Sequence, residues 1–361
     1  MAEPELVIDA DGHVDEPEDL WDERLEAPFR GRGPRVERRA DGARQIVIEG
    51  FRPFVASPFR AEGEVAARLR ELGGDTSANR LVLLDEEGVD VSILYPSMLL
   101  ALEGMMGRDP DHGMAVVRVY NDWVVEWCAA DRSRLVPIAY APLFDLAGAA
   151  EEVRRVAARG ARGAAIVADN PRNIPYGDPA LDPLYAVCTE LGLPLAVHIS
   201  TTRTDCSVPT PYFEGFKAPW FQAALTSDLT KWAITMMLQG GVFDRFPQLQ
   251  VVMLESMGGW VPSWLERMDE FYEDLGHTTA MSREPSSYFG TNLYVSISPH
   301  ERGATCLLRH CGADRVLWAT DFPHPDSRLR TLPAMRQRLA ELSEDDAQRV
   351  LGRNAQTLYG L

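Results

Sequence analysis

Eight short, almost uninterrupted apolar runs recur along this chain, and each leads into a stretch with helical character. The runs fall at 7–13, 89–95, 135–140, 164–167, 195–199, 250–254, 292–297 and 316–320. Helices are expected at 79–87, 113–130, 146–159, 183–190, 229–239, 261–275 and 303–310, with closing helical segments from 328 to 358. Short strands that are apolar on both faces suit a parallel sheet, covered by helices outside and filled by side chains inside. Eight strand–helix units in 361 residues favour an α/β fold closed as a (β/α)8 TIM barrel over an open sheet. No Gly-x-Gly-x-x-Gly follows any of the runs, which counts against a dinucleotide-binding sheet.

One stretch breaks the rhythm. Residues 14–77 are rich in Pro, Gly and Arg, with Trp21 as an expected packing anchor. Segments 35–39 and 44–49 flank Asp41-Gly42, a hairpin-turn dipeptide. This stretch reads as an insertion after strand one, lying over one end of a single domain that spans 1–361.

The strand ends carry the chemistry. Strand one finishes in Asp9-x-Asp11-x-His13, and strict alternation puts the three side chains on one face. Two carboxylates and an imidazole build a poor apolar core, but they suit a divalent cation. Strand five ends in His198, strand six in Glu255 and strand eight in Asp321. Barrel enzymes place their reacting groups at the C-terminal ends of the strands, which is where these residues fall.

Composition narrows the partners. Hydrophobic residues make up 45% of the chain, enough for a large core, and the formal net charge is −18. Nucleic acids and anionic membranes need a basic face, so neither is expected. No stretch reaches the ~20 apolar residues of a membrane span. The start, Met-Ala-Glu-Pro-Glu-Leu, has no secretory pattern. Five cysteines without a Cys-x-x-Cys pair suit reduced thiols and a cytoplasmic setting. Cys306 and Cys311 are expected to pack within a helix. A small-molecule substrate and a homo-oligomer complete this expectation.

The same motifs resemble a known family. Asp9-x-Asp11-x-His13, Leu-Pro-Leu-Ala-Val-His198, Asp244-Arg-Phe-Pro-Gln-Leu, Thr320-Asp321-Phe-Pro-His324 and the Asn354…Leu358-Tyr-Gly ending look like the amidohydrolase-2 family. That family is the branch of the metal-dependent amidohydrolase superfamily that contains aminocarboxymuconate-semialdehyde decarboxylase. The resemblance runs the length of the chain and implies a distorted (β/α)8 barrel with a divalent metal. Its ligand pattern carries over to His13, His198 and Asp321. Two positions depart: Asp11 stands where the family has its first strand-one His, and Glu255 where it has a strand-six His that does acid–base work.

Both departures add negative charge. Asp11, Glu255 and Asp321 with one M²⁺ leave the cluster at net −1, an uncomfortable state away from water. A second metal bridged by a carboxylate, iron in the +3 state, or a protonated Glu255 acting as an acid would each relieve it, and the charge argument favours Glu255 as a metal ligand or bridge. An oxygen-rich set shifts preference towards Fe or Mn, with Zn still open and one or two ions per chain. His324 and His300 are further candidate ligands or substrate contacts. His112, His277 and His310 are expected at the surface or as helix caps, and Asp9 as a supporting acid.

The segment 203–221 is aromatic-rich and reads as a long loop after strand five, either an apolar latch or a lid. Arg203, Phe216 and Trp220, with Trp260 beyond Glu255, are candidate substrate contacts; Lys217 could also meet an anion, and Trp264 is expected in the core. The chemistry remains open at this point. A hydrolase or non-oxidative decarboxylase would use His198, Glu255 and Asp321 as catalytic groups. The alternative is a non-haem iron or di-iron oxygenase acting on an organic substrate. A barrel that binds without catalysis is the third class.

Overall fold

Strand β1 spans Ile8–Val14 and is buried along its whole length. The computed structural model of the chain describes residues 5–38, 44–50, 54–55, 67–68, 71, 76–199, 218–324 and 327–361. After β1 come the short helix α1 (Leu20–Arg24) and strands β2 (Arg35–Arg38), β3 (Arg44–Val47) and β4 (Phe54–Val55). These three strands form a small antiparallel sheet, with Arg35 opposite Val47 and Ile46 opposite Phe54. The expected Asp41-Gly42 turn lies outside the described residues. Trp21 is fully buried, and its indole donates to the Val116 carbonyl at 3.0 Å, tying this region to the barrel's helical layer.

The regular part follows. Helix α2 (Ser77–Glu87) is capped by the Thr76 side chain and ends at Gly88, whose φ of 70° closes the turn into β5 (Val91–Pro96). Next are α3 (Met98–Met106), α4 (Pro110–Trp127), β6 (Leu135–Pro137) and β7 (Ala139–Tyr140). Then come α5 (Leu146–Ala157), β8 (Ala164–Val167), α6 (Asp182–Leu191) and β9 (Leu195–His198). The chain continues with α7 (Ala218–Gln239), α8 (Val242–Arg245), β10 (Val251–Leu254) and α9 (Val261–Leu275). It ends with α10 (Pro285–Phe289), β11 (Leu293–Ile297), α11 (Ala304–Cys311), β12 (Val316–Trp318), α12 (Thr331–Arg338), α13 (Glu344–Gln348) and α14 (Asn354–Tyr359).

All barrel strands pair in parallel, as β1–β5–β6 and as β7–β8–β9–β10–β11–β12. The third strand of the sequence pattern is broken at Ile138, whose amide still bonds Leu94 while Ala139 turns to Gly163, so one strand joins both sheets. The ring closes where the Asp321 amide donates to Asp11 and the His13 amide to Phe322, each at 2.8 Å. Ile8, Ala10, Val91, Ile93, Ala165 and Leu317 fill the interior, and Leu358 and Tyr359 of α14 plug it. Residues of opposite parity, such as Leu94, Leu135 and Val197, pack against the helices. Burial on both faces is why the strands read as unbroken apolar runs, each large side chain contributing roughly 1.5–3 kcal/mol.

Four expectations need correction. Helix α3 was not foreseen: Met98, Leu99, Leu100, Leu102 and Met105 are buried all round, so its sequence lacks an amphipathic period. Residues 218–221, expected in a loop, open the long helix α7. Cys306 is exposed rather than packed, whereas Cys311 is half-buried and packs against the core as expected. His112 is buried beneath Phe29 rather than at the surface. Among the described residues no helix is long and apolar enough to cross a membrane.

Candidate metal centre

Strand β1 does not keep strict alternation. Its register against β5 slips between Asp9 and Gly12, a bulge that turns Asp9 away from Asp11 and His13. Gly12 is needed at this bulge, because a Cβ there would sit 2.4 Å from Ser92 Oγ and 2.9 Å from Asp9 Oδ2. Asp9 therefore faces Ser92 and Thr320 beside helix α2, and the expectation of one shared face for all three residues is corrected. Asp11 and His13 point into the mouth of the barrel.

Four strand ends meet there. Asp11 Oδ1 lies 3.5 Å from His13 Nε2 and 3.5 Å from His198 Nε2. His13 Nε2 is 3.2 Å from Asp321 Oδ1, and His198 Nε2 is 3.6 Å from Glu255 Oε2. His324 Nδ1 reaches Asp321 Oδ1 at 2.8 Å, and its ring stacks on His13 at 3.9 Å. In two overlapping groups the potential ligand atoms all lie within 4.8 Å of one another: Asp11, His13 and His198, then His13, Glu255, Asp321 and His324.

The donor set fits a divalent ion on its own chemistry. His13 Nδ1 is held by the Pro96 carbonyl at 2.9 Å and His198 Nδ1 by the Ile199 carbonyl at 2.8 Å. Each carbonyl accepts a ring N–H, so in the neutral imidazoles both Nε2 lone pairs face the pocket. Both Nε2 atoms, both oxygens of Asp11 and Asp321 Oδ2 are buried with no conventional hydrogen bond among the described residues, whereas Asp321 Oδ1 pairs with His324 Nδ1. Buried polar atoms left unpaired cost free energy, and cations held by the two overlapping groups, which share His13, would relieve it.

Electrostatics sort the cluster. Burial and the neighbouring His324 hold the His13 imidazole below its usual range. Burial also opposes protonation of His198, but Asp11 and Glu255 lift it to about 9. Burial and Asp321 push the Glu255 carboxyl well above the usual carboxylate range. Burial acts the same way on Asp321, yet His324 and His13 hold it well below that range. His324 rises to about 10 against its own burial, through Asp321. One carboxylate of the pair is thus stably charged, and the other favours its proton.

Supporting residues surround the cluster. Asp9 accepts from the Thr320 amide at 2.9 Å and the Thr320 hydroxyl at 2.8 Å, bracing the turn before Asp321. Arg80 is buried and donates to the His13 carbonyl. Ser97, which the sequence reading missed, hydrogen-bonds His324 Nε2 at 3.1 Å and donates to the Val14 carbonyl at 2.8 Å. It directly follows β5, so the strand-end rule would have found it had hydroxyls been considered with acids and imidazoles.

Other candidates fall elsewhere. His300 is exposed and belongs to neither group of ligand atoms. Trp260 is half-buried, donates from its indole to the Ser256 carbonyl at 2.8 Å and packs against Trp264. Lys231 lies over the Trp260 ring at 5.1 Å. Trp264 is half-buried against the core. Arg203, Phe216 and Lys217 lie outside the described residues, as does the side chain of Trp220.

Known proteins resemble this chain along nearly its whole length. A family described as Amidohydrolase matches residues 8–361. The gamma-resorcylate decarboxylase of Rhodococcus jostii (strain RHA1) is 29% identical over 314 residues, covering 82% of this chain and 90% of that protein. The structure of an amidohydrolase from Mycobacterium avium subsp. paratuberculosis K-10 superposes with a TM-score of 0.82 at 23% identity, covering 99% of this chain and 100% of that one. A dihydroxybenzoic acid decarboxylase from Polaromonas sp. JS666, with bound manganese and 2-nitroresorcinol, gives a TM-score of 0.72 at 21% identity, covering 99% and 98%.

Proposed function

The chain belongs to the amidohydrolase family as a metal-dependent enzyme, and from that premise we propose that it removes the carboxylate of a small hydroxylated aromatic acid without an oxidant. The observation that carries this reading is the cluster at the barrel mouth, where Asp11 Oδ1 lies 3.5 Å from Nε2 of both His13 and His198 and Asp321 Oδ1 lies 3.2 Å from His13 Nε2. These four residues would hold a divalent ion. Manganese is favoured by the oxygen-rich set and by its presence in the dihydroxybenzoic acid decarboxylase. When bound, the ion supplies a Lewis acid for anionic oxygens of the substrate.

Glu255 holds the proton in this reading. Its carboxyl is less enclosed than those of Asp11 and the two deep imidazoles, with 21% of the side chain exposed. From there it gives a proton to the ring carbon that bears the carboxylate. The bond from that carbon to the carboxylate then breaks, its electron pair restores the aromatic ring, and CO2 leaves. Glu255 recovers its proton from water. We further read residues 14–77 as an insertion over one end of a single barrel domain, with Trp21 as its anchor. The relatives named above are decarboxylases or amidohydrolases, and they give the oxygenase alternative no support.

The test is release of CO2 from gamma-resorcylate by manganese-loaded protein, with metal content measured in parallel. Glu255→Gln is expected to keep its manganese and lose ~10²–10⁴-fold in turnover, the usual contribution of a positioned acid. Loss of manganese from that variant would instead make Glu255 a ligand.

A further inference from the structure

Glu255 sits on a turn that a polypeptide does not adopt readily. Its φ is 48° and that of Met257 is 59°, both in the left-handed region that disfavours residues with a side chain. The turn then runs through Gly258 and Gly259 into helix α9. A Cβ on Gly258 would meet Leu307 at 2.7 Å and Ile297 at 2.9 Å, and one on Gly259 would meet the Gly303 backbone at 2.7 Å. The backbone of this turn therefore lies directly on the loop that follows β11.

That loop contributes a buried acid which the chemistry above does not use. Glu301 is 3% exposed. Its Oε1 accepts from the Gly258 amide at 2.8 Å and from the Gly259 amide at 2.6 Å, while Oε2 has no hydrogen-bond partner among the described residues. We propose that Glu301 is a positioning residue for Glu255, holding the two glycine amides so that the strained turn aims the Glu255 carboxyl at His198 and the metal pocket. The inference deepens the decarboxylase reading and rests on its assignment of Glu255. Both amides lie just before α9, so a plain helix cap is the competing role. A cap would affect stability without acting through Glu255.

The experiment compares Glu301→Leu with Glu301→Gln, each alone and combined with Glu255→Gln. Gln retains an oxygen acceptor for the two amides, and Leu does not. In the manganese-loaded enzyme acting on gamma-resorcylate, Glu301→Leu is expected to lower kcat at least tenfold with little change in KM. Glu301→Gln should restore most of that rate. On the Glu255→Gln background, Glu301→Leu should cost nothing further, because its effect runs through the missing carboxyl. Independent and additive losses would overturn the proposal, as would full activity of Glu301→Leu.

A crystal structure of Glu301→Leu is the second arm and needs no turnover. It should show Glu255 moved from its 3.6 Å approach to His198, and an unmoved Glu255 would overturn the proposal. If Glu301→Leu fails to fold, Gly303→Ala serves in both arms, since its Cβ would press on Gly259 at 2.9 Å with Glu301 still in place. Inactivity of the parent enzyme on gamma-resorcylate would count against the decarboxylase reading, and the crystallographic arm would still decide this one.

Discussion

The turn after β12 that carries Asp321 and the turn after β10 that carries Glu255 share a design and differ in how they are held. Asp321 has a φ of 57° and Glu255 one of 48°, so each carboxyl group sits on a backbone state that needs outside support. Both receive it from a buried acid distant in sequence. Asp9 uses both oxygens, on the Thr320 amide and hydroxyl, on Ser92 at 3.1 Å and on the Asp11 amide at 3.3 Å. The bonds that close the barrel, from Asp321 to Asp11 and from His13 to Phe322, add a second layer. Glu301 holds the other turn through one oxygen alone. The role proposed for Asp321, a metal ligand, needs a fixed position through every turnover, which redundant support provides. The role proposed for Glu255, passing a proton, needs only reach to one atom, and a single clamp suffices.

The largest effect should come from breaking the redundant side. Asp9→Leu leaves the Thr320 amide and two hydroxyl donors without their acceptor in a buried site. At ~1–3 kcal/mol for each stranded group, with partial relaxation of the hydroxyls, the expected loss is about 3–5 kcal/mol. Chemical denaturation measures it, and manganese content should fall with it because Asp321 loses its support. A variant within about 1 kcal/mol of the parent would show that barrel closure alone holds this turn.

A finer contrast uses the residues adjoining Asp321 and Glu255. Thr320 donates to Asp9 and accepts from the Phe322 amide at 3.1 Å, so Thr320→Val should cost about 1–2 kcal/mol. Ser256, next to Glu255, is buried with no hydrogen-bond partner for its hydroxyl among the described residues. Ser256→Ala should therefore leave stability unchanged to within ~0.5 kcal/mol. Equal losses at the two positions would erase the distinction between a network and a single clamp.

The sequence showed one of these supports and hid the other. Asp9 lies on the same strand as Asp11 and His13, and its depth marked it as a supporting acid rather than a ligand. Its direction was not legible, since a period-two pattern does not show the bulge at Gly12. The barrel was legible because strands buried on both faces leave continuous apolar runs, and the clustered polar positions because strand ends are few. Glu301 lay 46 residues beyond Glu255 in a loop read only for His300. Its partners are backbone amides, which leave no residue-type signature. Helix α3 escaped for a related reason: buried on every side, it has no periodic face to detect.

The smallest expected effect tests the strain itself. Met257 has a φ of 59° and a side chain 55% exposed, so its replacement loses little packing. Left-handed backbone costs a non-glycine residue ~1–2 kcal/mol. Glycine escapes that cost but gives back ~0.5–1 kcal/mol through the greater freedom of the unfolded chain. Met257→Gly should therefore stabilise the protein by about 0.5 kcal/mol, seen as a small rise in the denaturation midpoint at constant slope. In a Glu301→Leu background the gain should vanish, because a turn freed from its clamp leaves the left-handed region and has no strain to relieve. An equal gain in both backgrounds would mean that the turn keeps its shape without Glu301. The two acids would then differ in kind, with Asp9 shaping its turn and Glu301 merely resting against a turn that folds by itself.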